Sequence, residues 1–144
     1  MRAIIQKVKK CVLFSEGEKY SEIGEGELVL FGVSAEDNVQ NVKKFAEKLL
    51  KLRIFDDDNG KTNKSIFDIN GEIMVVSNFT LYANLKGTNR PDFIYSAKAE
   101  QAKIVYDTFC EELKKSINIK TGVFQTYMEM DTVLDGPGTY ILEM

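Results

Sequence analysis

Leu28-Val29-Leu30-Phe31-Gly32-Val33 is a continuous apolar run, the mark of a strand buried on both faces. Ser34 follows where a helix cap belongs, with Asp37 three residues on, a capping-box pattern. Val42, Phe45, Ala46, Leu49 and Leu50 then recur at helical spacing. Residues 36–52 are therefore expected as an amphipathic helix with its lysines outward.

Upstream, residues 2–8 and 11–15 read as a strand pair, and Tyr20–Ile23 as a short strand before the turn Gly24-Glu25-Gly26. Downstream, Asp56-Asp57-Asp58-Asn59-Gly60 is an acidic turn that lacks the twelve-residue calcium-loop pattern ending in Glu. Ile73-Met74-Val75-Val76-Ser77-Asn78-Phe79-Thr80-Leu81 begins as a buried strand and turns polar while staying extended. Ala102, Val105, Tyr106, Phe109 and Leu113 share one stripe of a second helix over residues 98–116. Residues 127–144 alternate well enough for two strands around Asp135-Gly136-Pro137-Gly138. With no repeat, linker, GxGxxG or GxxxxGK[ST], the expectation is one α+β domain over residues 1–144, its two main helices against a mostly antiparallel or mixed sheet.

Among the 144 residues there is no histidine, which removes Ser-His-Asp and Cys-His catalysis and the commonest transition-metal ligand. Cys11 and Cys110 form no CxxC pair and read as free, buried thiols. Neither a metal nor a cofactor is expected. Chemistry is left to hydroxyls, carboxylates, lysines, backbone amides or the substrate itself. The net charge of −3 argues against extended nucleic-acid binding, DNA included. Local basic clusters, such as Lys43, Lys44, Lys48, Lys51 and Arg53, could hold a short stretch of backbone or simply be solvated. No apolar run reaches the ~20 residues of a membrane span, and the opening reads as a strand, so the cytoplasm is the expected location.

Two segments could carry chemistry. Ser77-Asn78-Phe79-Thr80 sets hydroxyls and an amide at the end of a buried strand, a rigid place for a site. Asp135-Gly136-Pro137-Gly138-Thr139 holds one of the two prolines, flanked by glycines, and reads on composition as a hairpin turn.

At these segments the chain resembles the D-aminoacyl-tRNA deacylases. The likeness is carried by Met1-Arg2-Ala3-Ile4-Ile5-Gln6-Lys7-Val8, Leu52-Arg53-Ile54-Phe55, Val75 to Ala83, Arg90-Pro91-Asp92-Phe93 and Asp135-Gly136-Pro137. The resemblance implies a homodimer in which the sheets of two subunits come together. It also implies hydrolysis of D-amino acids, and glycine, from the 3′ adenosine of tRNA. Ser77, Asn78, Phe79 and Thr80 would then line the pocket and offer amides. Gly136 and Pro137 of the partner, joined by a cis peptide bond, would exclude the side chain of an L-amino acid. The tRNA 2′-OH would assist the reaction, which suits a chain without histidine and without a base to activate Thr80. Met128 and Met130 pack near the adenosine or in the core.

Four positions depart from the family pattern: Lys7 for Arg, Asn78 for Gln, Leu134 for Asn and Gly138 for Val. Lysine lacks the planar donor fork of arginine, and Gly138 enlarges the backbone states beside Pro137. These changes are compatible with an altered substrate range, weaker chiral filtering or lost activity. They also leave open a protein of this fold that binds a tRNA end or a small ligand without turnover.

Overall fold

The computed structural model describes residues 1–87 and 89–144. In chain order the elements are β1 (Arg2–Ser15), β2 (Glu18–Ile23), β3 (Gly26–Gly32), α1 (Val42–Leu50), β4 (Phe55–Asp56), β5 (Thr62–Lys64), β6 (Glu72–Ser77), α2 (Ala99–Lys114), β7 (Ile119–Thr121) and β8 (Met128–Glu143). The expected α+β class with two main helices is what forms. The main sheet is mixed: β1 pairs antiparallel with β2, β3 and β8, while β3–β6 and β6–β7 are parallel.

The apolar run became β3 because both of its faces are covered. Val29 and Phe31 point to the face under α1 and α2, where Phe31 stacks on Phe109 at 4.2 Å and meets Phe45 edge-on at 5.6 Å. Such ring pairs contribute about 0.5–1.5 kcal/mol each beyond the area they bury. Leu28 belongs to a second core with Val8, Cys11, Leu13, Ile23, Met74 and Val76 on the opposite face. Among the described residues no helix lies there. Instead the sheet curls until β2 nears β7, where the Ser21 hydroxyl donates to the Thr121 carbonyl at 3.3 Å.

Four local expectations are corrected. β1 is one continuous strand and not a pair, because β2 and β3 line one edge and β8 the whole of the other. α1 starts at Val42 and ends at Leu50, shorter than residues 36–52. Asp37 makes the capping-box bond, one carboxylate oxygen accepting from the Ser34 N–H at 2.8 Å while the carboxylate also holds the Met1 amine at 2.7 Å. That bond closes a turn, and a 3₁₀ segment, Val39–Asn41, intervenes before the helix. β8 is likewise one strand, with residues 135–138 bulged out between the pairs Val8–Leu134 and Gln6–Thr139 and making no hairpin. The fourth correction, at residues 78–82, shapes the site. Cys11 and Cys110 are free and buried as expected.

Candidate active site

β6 stops at Ser77 because the next side chain offers the backbone another partner. Asn78 Oδ1 accepts from the Thr80 N–H at 3.1 Å and from the Thr80 hydroxyl, turning Phe79–Tyr82 into a short 3₁₀ helix and not an extended segment. This turn lies across the end of β3, where a Cβ on Gly32 would sit 3.0 Å from Leu81 Cβ and 3.1 Å from the Asn78 carbonyl oxygen. Glycine at 32 lets the turn dock, and the Asn78 N–H donates to the Phe31 carbonyl at 2.8 Å. A second strap holds it from outside, the Ser96 hydroxyl donating to the Phe79 carbonyl at 3.0 Å.

Beside the turn opens a cavity of about 740 Å³. Ser77, Asn78, Phe79 and Met128 line it, with Phe31 and Tyr106 also in its wall. Phe79 and Phe93 form an exposed aromatic pair at 4.8 Å. The Tyr106 hydroxyl donates to the Val75 carbonyl at 2.9 Å, and burial pushes its pKa well up, so it serves as a fixed wall and not as an acid or base. Met128 is pinned by its sulfur, which accepts from the Val123 N–H at 3.2 Å. The cavity also has walls the sequence reading did not find: Ser96 to Ala99 at the start of α2, and Phe124-Gln125-Thr126 before β8. Pairing and periodicity give no signal for the latter, whose residues belong to no strand or helix.

The chemical inventory at the turn is narrow. Thr80 gives its hydroxyl proton to a neutral carboxamide that cannot take it away, and its amide is spent on the same oxygen. Asn78 spends its amide on Phe31. The Phe79 N–H is left without a partner among the described residues. An unpartnered amide at the start of a helical turn suits a developing oxyanion. No cluster of three or more His, Cys, Asp or Glu side chains comes together among the described residues.

The remaining expected site residues lie elsewhere in the same chain. Lys7 is opposite Glu27 at the beginning of β3, whereas Ser77 is opposite Phe31 near its end, about 13 Å away at the usual strand rise. Gly136 and Pro137 bulge beside Lys7, joined by a cis peptide bond. Met130 is an exposed residue of β8 outside the cavity. Lys7 is almost buried, its ammonium 3.7 Å from Asp56 Oδ2 and 5.7 Å from the Phe55 ring centre. Its stem passes over Gly138 so closely that a Cβ there would lie 2.6 Å from Lys7 Cδ and 3.3 Å from Lys7 Cβ. Gly138 therefore makes room for Lys7, a role in addition to the backbone freedom expected of it. Glu27 faces the same core fully buried, with neither carboxyl oxygen hydrogen-bonded, and burial pushes its pKa up to about 8.

Comparison with known proteins accounts for this architecture. The chain is 46% identical over 144 residues to the D-aminoacyl-tRNA deacylase of Dictyoglomus turgidum, covering 99% of this chain and 92% of that protein. It is 44% identical to the Thermosipho africanus protein of the same name, covering 99% and 97%. A solved structure described as c-Myc DNA Unwinding Element Binding Protein superposes with TM-score 0.93 at 40% identity, covering 100% of this chain and 99% of that one. One described as a probable eukaryotic D-amino acid tRNA deacylase superposes at 0.83 with 16% identity, covering 99% and 98%, and shares the fold. The family model for D-Tyr-tRNA(Tyr) deacylase matches residues 4–143, and the chain belongs to that family.

Proposed function

We propose that this protein is an editing esterase that removes D-amino acids, and glycine, from mischarged tRNA. The observation that carries the reading is the turn at Asn78: it leaves without a partner the N–H of Phe79, a residue of the cavity wall, and it ties the Thr80 hydroxyl to a carboxamide that cannot act as a base. The ester carbonyl oxygen is received by that N–H. Water adds to the carbonyl carbon, the bond to the ribose 3′-oxygen breaks, and the 2′-OH beside it relays the proton that the 3′-oxygen gains. Positioning and oxyanion stabilisation are then the protein's contribution.

Selection by hand requires a second chain. Gly136 and Pro137 are exposed and outside their own cavity, so they act in a partner's. β8 supports such a dimer: sixteen residues long, it has no buried residue and exposes Val133, Leu134 and Ile141. A long apolar edge of this kind is seldom left uncovered. The partner's Gly136-Pro137 carbonyls would fill the space an L side chain needs. Lys7, lodged between Asp56 and Gly138, holds that bulge from behind.

Hydrolysis of D-tyrosyl-tRNA ending in ordinary adenosine, with poor hydrolysis of the same tRNA ending in 2′-deoxyadenosine, tests this route. Equal rates on the two would remove the 2′-OH from it. A second reading, nucleic-acid binding without turnover, is favoured by the DNA-element name of the 40%-identical structure. It predicts tight binding of tRNA or DNA ends with no release of amino acid.

A further inference from the structure

The two helices differ in how their exposed charges are settled. On α2, Lys103, Lys114 and Lys115 are each paired with an acid one turn away: Asp107, Glu111 and Glu112. On α1, Lys43, Lys44 and Lys48 are exposed, as is Lys51 at its end, and among the described residues none of the four makes an ion pair. Glu47 is the one acid on that face. The buried side of α1 is Val42, Phe45, Ala46, Leu49 and Leu50, so packing fixes the lysines outward. Four cations against one anion are thus displayed along about 13 Å of helix on a chain whose formal charge is −3.

This face is joined to the cavity. α1 follows β3, whose Phe31 lines the cavity, and the segment between them is clamped to the start of α2. The Gln101 side chain donates to the Ala35 carbonyl at 3.2 Å and to the Asp37 carbonyl at 2.6 Å. Lys98, just before α2, stands in the cavity wall. A polyanion whose end occupies the cavity has Lys98 in the wall around it, and the lysines of α1 lie on the helix packed against α2. A single terminal nucleotide is too short to use them.

We propose that the lysine face of α1 is the docking surface for the sugar-phosphate backbone of the tRNA acceptor stem whose 3′ end occupies the cavity. This rests on the editing reading for the occupant of the cavity. The recognition itself is electrostatic and independent of base sequence, since ammonium groups on flexible stems meet phosphates as point charges.

The test replaces Lys43, Lys44, Lys48 and Lys51 together by Ala, with Lys103, Lys114 and Lys115 replaced by Ala as the control for the removal of positive charge. Binding of uncharged tRNA is measured from 50 to 300 mM NaCl, alongside kcat and KM for D-tyrosyl-tRNA and for the D-tyrosyl ester of a CCA trinucleotide. The α1 variant is expected to bind tRNA about tenfold more weakly or worse at low salt. Its slope of log affinity on log salt should be shallower by about 3, roughly one for each phosphate that a lysine neutralises in the parent. KM for the full tRNA should rise with kcat kept, and the trinucleotide ester should be unaffected. The α2 variant should match the parent. Equal weakening in both variants, equal weakening on tRNA and trinucleotide, or unchanged tRNA affinity in a folded α1 variant would each overturn the proposal. If the parent hydrolyses neither ester the editing reading fails, while tRNA affinity still decides the docking surface.

Discussion

Replacing Glu27 by Gln removes a carboxyl that the fold keeps neutral at the expense of its own stability. Glu27 is fully buried, both oxygens lack a partner, and burial pushes its pKa from 4.5 up to about 8. Unfolded, the same group ionises at its ordinary value. Between pH 4.5 and 8 the folded chain therefore holds a proton that the unfolded chain has released, and stability falls as pH rises. The direction is opposite to that of a salt-bridged carboxylate. The slope is about 1.36 kcal/mol per pH unit, so Glu27 withdraws about 3 kcal/mol between pH 5 and 7.5. Against the roughly 5–15 kcal/mol typical of a whole domain, that is a large share. Urea melts of parent and Glu27→Gln at pH 5, 6.5 and 7.5, at one protein concentration, read the difference. The variant's stability relative to the parent should grow by about 3 kcal/mol over that range, whatever constant offset the buried amide adds. Parallel pH profiles would refute the reasoning. They would mean that Glu27 is ionised in the fold, with its register partner Lys7 as the cation that supports it.

Thr80→Ala should leave kcat within about tenfold of the parent, since its proton goes to Asn78; a drop of several orders of magnitude in a folded variant would identify Thr80 as the nucleophile. Gly138→Val should cost about 1–3 kcal/mol of stability because its Cβ meets the Lys7 stem. Lys7→Ala should recover part of that cost in a double-mutant cycle, and strict additivity would show that the two positions do not touch. Light scattering at micromolar concentration should give twice the chain mass of 16.3 kDa; a monomer would leave Gly136 and Pro137 without a cavity to enter.

What was legible in the sequence follows from the range of the forces involved. β3 and the stripe of α2 were readable because burial imposes a local pattern on consecutive residues. The start of α1 was misplaced because the Ser34–Asp37 pattern, a capping box by spacing, closes only a turn, its carboxylate shared with the Met1 amine, which is distant in sequence. The extended reading of residues 78–81 failed because one side-chain oxygen, on Asn78, competes with the ladder and bends the chain. The bulge at residues 135–138 was recognised as special, but its place in a single long strand depends on β1, more than a hundred residues away. The close approach of Lys7 to Gly138 is of the same kind, and so is the burial of Glu27, a charged residue directly before an apolar run. Of the motif Ser77 to Thr80 the first three residues line the cavity and Thr80 does not, and which of its amides is free could be seen only from the hydrogen bonds.

The central claim is tested most directly by parallel time courses on D-tyrosyl-tRNA and L-tyrosyl-tRNA, with enzyme far below substrate. The account predicts many turnovers on the D ester and much slower hydrolysis of the L ester. No turnover on the D ester, or equal rates on both, would contradict it.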